Sequence, residues 1–283
     1  MRAGELILTL SCPDRRGIVY AVAQAIADGG GNILDSQQFG DPDERVFFMR
    51  VHFADESGNG VAAWHDVFAP LADEFGMRWE LHDGDHRPRI LVAVSREGHC
   101  LNDLLYRWRS GAIVAEIVGV ASSVRDHEAL VAGYGLPYHL LPGTDADAAE
   151  RDRSLLGLVA KHRVELVVLA RYMQVIGPDA CRALAGRAIN IHHSFLPSFK
   201  GARPYAQAHA RGVKLIGATA HYVTEELDAG PIIEQDVVRV SHQDNIETMK
   251  QLGADAERTV LARAVERHLE DRVLVTENTT VVF

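Results

Sequence analysis

Apolar residues near the start of the chain first alternate and then recur with a longer period. Between Glu5 and Ser11, Leu6, Leu8 and Leu10 fall on one face and Ile7 and Thr9 on the other, which predicts a strand. Pro13 to Gly17 interrupts it. Ile18, Val19, Val22, Ala23 and Ile26 then repeat at helical spacing, and Gly29-Gly30-Gly31-Asn32 ends that helix, since glycine enters a left-handed cap without a Cβ penalty. Asn32 to Phe39 and Val46 to Phe53 read as a strand pair around the turn Asp41-Pro42-Asp43. Ala62 to Phe75 reads as a second helix with Trp64, Val67, Phe68, Leu71 and Phe75 inward, and Met77 to His82 as a final strand. The order strand, helix, strand, strand, helix, strand predicts a ferredoxin-like βαββαβ unit with two helices on one face of an antiparallel sheet.

The pattern then changes. Asp83 to Pro88 is polar and turn-rich, and we place a domain boundary there, with residues 1–84 before it and 88–283 after. Arg89 to Ser95 is a nearly continuous apolar run, as a strand buried on both faces should be. Further strands are expected at Ala115–Ala121, Pro137–Leu140, Leu166–Ala170 and Ala188–His192. They alternate with helices over Leu101–Arg109, Asp126–Gly133, residues 145–162 and Gly177–Ala185. Such alternation predicts an α/β domain with an open, mostly parallel, Rossmann-like sheet, whose ligands lie beyond the carboxyl ends of the strands where the strand order switches. Gly217–Val223 and Pro231–Val240 read as a hairpin about Asp228, Asp255–Glu270 as a helix, and Arg272–Val275 with Thr280–Phe283 as a terminal hairpin.

Composition narrows the classes. No apolar run approaches the ~20 residues that span a bilayer, and the opening segment lacks a signal peptide's long apolar core, so a cytoplasmic protein is expected. Cys12, Cys100 and Cys181 are far apart with no CxxC, which supports neither a disulfide framework nor a thiolate zinc site. A net charge of -10 argues against a nucleic-acid partner. Residues 1–86 hold 15 acidic and 6 basic residues, so almost all of that charge lies in the first third.

The candidate chemistry lies in residues 188–233. Asn190 and His192 project to the same side of one strand end, and Asp228 sits in a turn bounded by Gly230-Pro231. An amide donor, an imidazole and a carboxylate that can meet at strand ends form a kit for acyl transfer. Arg171-Tyr172-Met173, after one apolar strand, and Ser95 to Cys100, after another, end toward the same crevice. Asp228 could equally cap its own turn. Ser194 lacks a nucleophile-elbow context, and His192, His193, His221 and Asp228 match no metal-binding spacing, so no metal is expected. Gly98 is too isolated for a phosphate-cradling loop, and Gly29 to Asn32 follow a helix where a dinucleotide site would precede one.

Together, Asn190-Ile191-His192, Ser194-x-Leu196-Pro197 and Leu227-Asp228-x-Gly230 resemble the signature of the folate-dependent formyltransferases. HHSFLP in place of the more usual HPSLLP, with GATAHYV before the acidic turn, is similar to the deformylase branch of that family. CPDRRGIVYAVAQAIADGGGNI resembles the opening of an ACT domain. The resemblance implies hydrolysis of 10-formyltetrahydrofolate to formate and tetrahydrofolate, feeding one-carbon and purine metabolism, with the folate as substrate and no separate cofactor. It implies catalytic roles for Asn190, His192 and Asp228. His192 and Asn190 would donate to the formyl oxygen, and Asp228 would guide and deprotonate the attacking water. Folate contacts are implied for Arg171, Tyr172, Met173 and Val175 and for the loop with Thr224 and Glu225, and His193 is grouped with them, either as a residue supporting the site or as a water holder. Without the resemblance, Met173 and Val175 read as core. The ACT likeness implies an amino-acid effector and a homo-oligomer.

Two other readings are carried alongside: transfer of the formyl group to an amine, and an amino-acid sensor on an inactive fold. Glycinamide ribonucleotide formyltransferases carry a Gly-rich phosphate loop after the first strand of this domain. Here the same place reads Ser95-Arg96-Glu97-Gly98-His99-Cys100-Leu101, with a carboxylate where a phosphate would want none. Water is therefore the expected acceptor.

Overall fold

The computed structural model describes residues 4–143, 147–198 and 204–283. The chain divides into two compact units. The first contains β1 (Glu5–Pro13), α1 (Ile18–Asp28), β2 (Gly31–Asp41), β3 (Val46–Asp55), α2 (Gly60–Phe75) and β4 (Arg78–Asp83). Its antiparallel sheet runs in the order β2-β3-β1-β4. The alternation read from β1 is borne out: Leu6, Leu8 and Leu10 join Met49, Val51 and Phe53 of β3 beneath Val22 and Ile26 of α1 and Trp64 and Phe68 of α2. Such a one-faced core is what buries the apolar stripe of each helix.

Residues Glu270–Thr276 and Val281–Phe283 cluster with this first unit, although the sequence reading had assigned everything from 88 to 283 to the second domain. The cause is a buried cation. Arg50, on β3, is 3% exposed. Its Nε and Nη2 donate to the Glu270 carbonyl at 3.1 and 2.9 Å, while Nη1 lies 3.4 Å from Asp35. Arg272 donates to Gln37 at 2.8 Å, and His82 lies 3.4 Å from Asp271. A short β12 (Val273–Val275) pairs with β13 (Thr280–Val282).

The second unit holds β5 (Arg89–Val94), α3 (His99–Ser110), β6 (Glu116–Ser122), α4 (Glu128–Gly133), β7 (Tyr138–Leu140), α5 (Ala148–Lys161), β8 (Leu166–Leu169), α6 (Pro178–Ala183) and β9 (Ala188–His192). These are followed by α7 (Pro204–Ala210), β10 (Leu215–Tyr222), β11 (Ile232–Arg239) and α8 (Ile246–Leu269). The sheet order is β11-β10-β9-β8-β5-β6-β7. β7, β6, β5, β8 and β9 are parallel, and β10 and β11 are antiparallel additions. Strand order reverses between β5 and β8, so the ends of those two strands flank the switch point. Leu155 and Val159 of α5 pack over Leu91, Ala93, Val167 and Leu169 to form one core face.

Two helices depart from the pattern reading. α7 was not anticipated. α8 begins nine residues earlier than expected, where Asn245 Oδ1 accepts from Thr248 N at 2.9 Å and caps the first turn. The start of the helix expected over 145–162 lies outside the described residues; Asp147 Oδ1 accepts from Ala149 N at 3.2 Å and caps α5. No helix among the described residues is long and apolar enough to cross a membrane.

Candidate active site

The site forms at the C-terminal end of β9 because the next strand runs back beside it. β10 pairs antiparallel with β9 in a register that sets His221 opposite Asn190 and Thr219 opposite His192. Thr219 Oγ1 donates to the Ser194 carbonyl at 2.9 Å and accepts from Leu196 N at 3.0 Å and from Gln235 Nε2 at 2.9 Å. One buried hydroxyl thus fixes the loop after His192, and Ser194 Oγ donates to the Ser198 carbonyl at 2.9 Å. These bonds give Ser194 and Leu196 a part in shaping the loop.

Asp228 reaches the same place from the turn between β10 and β11. Its φ is 55°, in the left-handed region, which a short polar side chain tolerates better than most. A Cβ at Gly230 would overlap the Tyr222 carbonyl oxygen, so only glycine lets the turn close onto β10. The result places Asp228 Oδ1 3.2 Å from His192 Nδ1 and 3.9 Å from His221 Nε2.

The hydrogen bonds determine where the protons sit. His221 Nδ1 is 2.8 Å from the Tyr222 carbonyl, which can only accept, so Nδ1 carries the hydrogen and Nε2 a lone pair. Asn190 Nδ2, 3.2 Å away, donates to that lone pair, which orients the amide and leaves its second N–H available. Burial pushes the His221 pKa down, in keeping with a neutral ring. His192 Nδ1–H donates to Asp228. That bond, with the nearby histidines, holds the Asp228 carboxyl below its ordinary range against the effect of its own burial. His192 Nε2 is buried and has no hydrogen-bond partner among the described residues. His193 stacks on His192 with ring centroids 5.1 Å apart; burial, then the Arg171 cation, push its pKa down to about 4.

Beside this cluster lies a cavity of ≈ 460 Å³, and every predicted site residue lines it: Asn190, His192, His193, Asp228, Arg171, Tyr172, Met173, Val175, Thr224 and Glu225. Met173 and Val175 are 55% and 62% exposed, which rules out the core reading for both. The Met173 N–H donates to Ser95 Oγ at 3.0 Å, so the exposed Met173 side chain rather than the N–H is free toward the cavity. Tyr172 lines the cavity although its side chain is buried in the core cluster that includes Leu155 and Val159 of α5. Glu225 pairs with Arg182 at 2.9 Å on the rim. Arg171 has φ 62°, an unusual backbone for arginine, and its Nε lies 3.3 Å from Glu257.

Sequence reasoning missed His221 as the partner of Asn190, and it missed a buried group around Glu257. Strand alternation in GATAHYV put His221 on the side of Thr219, but only the β9–β10 register reveals what it faces.

A parallel sheet switching at β5/β8, with an Asn-His-Asp constellation at its carboxyl end, defines a formyl-transferase-type domain, here preceded by a small βαββαβ unit. The formyl transferase family matches residues 88–265 and the ACT domain family residues 6–69. A formyltetrahydrofolate deformylase of Bacillus subtilis is 47% identical over 279 residues, covering 98% of this chain and 93% of the relative. The crystal structure of a formyltetrahydrofolate deformylase from Pseudomonas syringae superposes with a TM-score of 0.94 at 47% identity, covering 99% of this chain and 94% of that one. A glycinamide ribonucleotide transformylase from Symbiobacterium toebii matches with a TM-score of 0.67 at 28% identity, covering 71% of this chain and 96% of that one. The chain belongs to the formyltetrahydrofolate deformylase family.

Proposed function

We propose that the protein hydrolyses 10-formyltetrahydrofolate to formate and tetrahydrofolate, with the folate as substrate and no separate cofactor. The observation that carries the chemistry is the His192 Nδ1–Asp228 Oδ1 bond of 3.2 Å, which leaves Nε2 as the ring nitrogen without a hydrogen-bond partner among the described residues. The pterin occupies the cavity against Met173, Val175 and the Thr224–Asp228 loop, since an apolar slot edged by polar backbone suits a flat heteroaromatic ring.

Water attacks the formyl carbon, and His192 Nε2 takes one of its protons. The carboxylate of Asp228 stabilises the imidazolium that forms. This assigns proton acceptance to His192, because a carboxyl held below its ordinary range is a weak base. The second N–H of Asn190 donates to the formyl oxygen as it becomes negative, with the imidazolium adding to that stabilisation. His192 then returns the proton to the folate nitrogen as the C–N bond breaks, and formic acid loses its own proton to solvent. Water, neutral His193 and the stacked His192 together fit a site that positions a small acceptor.

The first unit, by its ACT likeness, serves as a ligand-binding module for an amino acid and a surface through which copies pair. The test of the reaction is incubation with 10-formyltetrahydrofolate and no amine, with formate measured over time. Formate release is expected, unchanged by added amine metabolites. Absence of release would sink the proposal, and a product carrying the formyl group on an amine would redirect it to transfer.

A further inference from the structure

Glu257 lies in the middle of α8 and is 2% exposed. Burying a carboxylate is unfavourable unless its oxygens are satisfied. Here His99 Nε2 is 2.8 Å from Oε2, the Tyr205 hydroxyl donates to Oε1 at 2.7 Å, and Arg171 Nε lies 3.3 Å from Oε2. Burial pushes the Glu257 carboxyl up, and the His99, Arg171 and Tyr205 contacts more than offset that, leaving it below its ordinary value. His99, Cys100 and Glu257 bring ligand-type atoms within 4.8 Å of one another. The Arg171 cation beside the carboxylate and a thiol pushed well above its ordinary pKa by burial make this an ion-paired group rather than a cation site, with Glu257 hydrogen-bonded to His99 and Tyr205 and with Nε and Nη1 of Arg171 lacking a hydrogen-bond partner among the described residues.

The group also reaches the reacting centre. The Tyr205 ring lies 6.1 Å from that of His193, which in turn stacks on His192. None of Glu257, Tyr205 and His99 lines the cavity; they stand behind the stacked imidazoles. A Cβ at Gly253, one turn before Glu257, would overlap the Tyr205 hydroxyl, so a glycine in mid-helix is what lets Tyr205 reach the carboxylate. The neighbouring loop is equally committed. His127 Nε2 lies 3.1 and 3.2 Å from the Ser95 and Arg96 carbonyls, and Ser95 Oγ is taken by Met173 N. In transferases of this fold that segment is where an acceptor's anion would be received.

The geometry points to a specificity device: the Glu257–Tyr205–His99–Arg171 group buttresses His193 and restricts the formyl acceptor to water. Glu257 and Tyr205 act as positioning residues, and nothing in the deformylase chemistry requires them to touch substrate. The inference rests on the hydrolytic reading above.

Hydroxylamine, a small amine, serves as the probe. Its nitrogen would attack the formyl carbon, a C–N bond would form as the bond to the folate nitrogen breaks, and the proton lost by hydroxylamine would pass to the released amine, giving formohydroxamate. The readout is the ratio of formohydroxamate to formate after subtraction of the enzyme-free rate, a quantity that a simple loss of activity does not change. In the wild-type protein formate should dominate. Tyr205→Ala removes the ring behind His193, and Gly253→Ala displaces the Tyr205 hydroxyl while favouring the helix. In both, the ratio should rise by about tenfold or more, the scale on which pockets discriminate by size. A ratio equal to wild type in either variant that still releases formate would overturn the inference. Failure of the wild-type protein to release formate would instead overturn the hydrolytic reading.

Discussion

Two carboxylates flank the histidine pair, and they are held in opposite ways. Asp228 stands on a left-handed turn at the cavity wall, 10% exposed, with one close hydrogen bond to His192. Glu257 stands in mid-helix and accepts from Tyr205 and His99 beside the Arg171 cation. A group reserved for chemistry, the role we propose for Asp228, keeps unspent capacity and a mobile proton next to it. A group reserved for architecture is saturated, because any unpaired oxygen at that depth costs free energy and nothing is gained by exposing it.

The contrast is sharpest if each carboxylate is replaced. Asp228→Asn should lower turnover by about 10³–10⁴, as expected when the partner that fixes a catalytic imidazole's tautomer is lost, while folate affinity changes little. Formate release and folate binding measured on one preparation check this, and a variant of near-normal speed would remove Asp228 from the mechanism. Glu257→Leu should act on stability first, by about 3–5 kcal/mol, because it leaves a buried guanidinium without its counter-charge; denaturant unfolding reads this. If Glu257→Leu were as stable as wild type and merely slow, the distinction between the two carboxylates would collapse.

Smaller effects refine the comparison. Asn190→Leu should reduce kcat by about 10²–10³ with KM nearly constant, the range for one lost oxyanion donor. His221→Leu, which frees the Asn190 amide to rotate, should cost about fivefold in kcat, since one orienting hydrogen bond is worth about 1 kcal/mol. Its rate should recover in part with His221→Gln, which restores an acceptor. Acid should separate the stability contributions. His193 has its pKa pushed down to about 4 from an ordinary 6.5, so the unfolded chain binds a proton that the folded one refuses. Stability should therefore fall as pH drops from about 6.5 toward 4, and the difference in unfolding midpoint between wild type and His193→Asn should change across that window and be constant above it. Asp228, shifted below its ordinary value, stabilises the fold above that value and loses this as pH falls further.

Much of this architecture was legible before any coordinates. Buried parallel strands announce themselves as apolar runs, and the alternation of Leu6, Leu8 and Leu10 declared the face that packs on the helices, though not that Ile7, Phe48 and Arg50 on the other face are buried as well. Asn190, His192 and Asp228 each had a structural reading alone and stood out as a set, through strand-end spacing and their resemblance to the formyltransferase signature. What stayed hidden depended on register and on burial against type. His221 becomes informative only once β10 is set opposite β9. Glu257 was invisible because periodicity assigns a charged position to solvent, whereas in α8 it faces inward beside Ala256 and Val260. The same habit clipped α8 at its start, where Gly253 and a polar first turn obscured Met249 and Leu252. α7 is a single short helix whose one telling residue, Tyr205, matters for its hydroxyl.

The membership of the last residues in the first unit has a practical consequence for dissecting the gene product. A fragment cut after His86 would carry Arg50 into a half-made interior, stripped of the Glu270 carbonyl that receives two of its N–H groups. Such a piece should be recovered poorly, whereas the same piece supplied in trans with a peptide spanning 270–283 should regain order. The N-terminal domain of this chain is thus completed by its own tail, and editing at either terminus changes both.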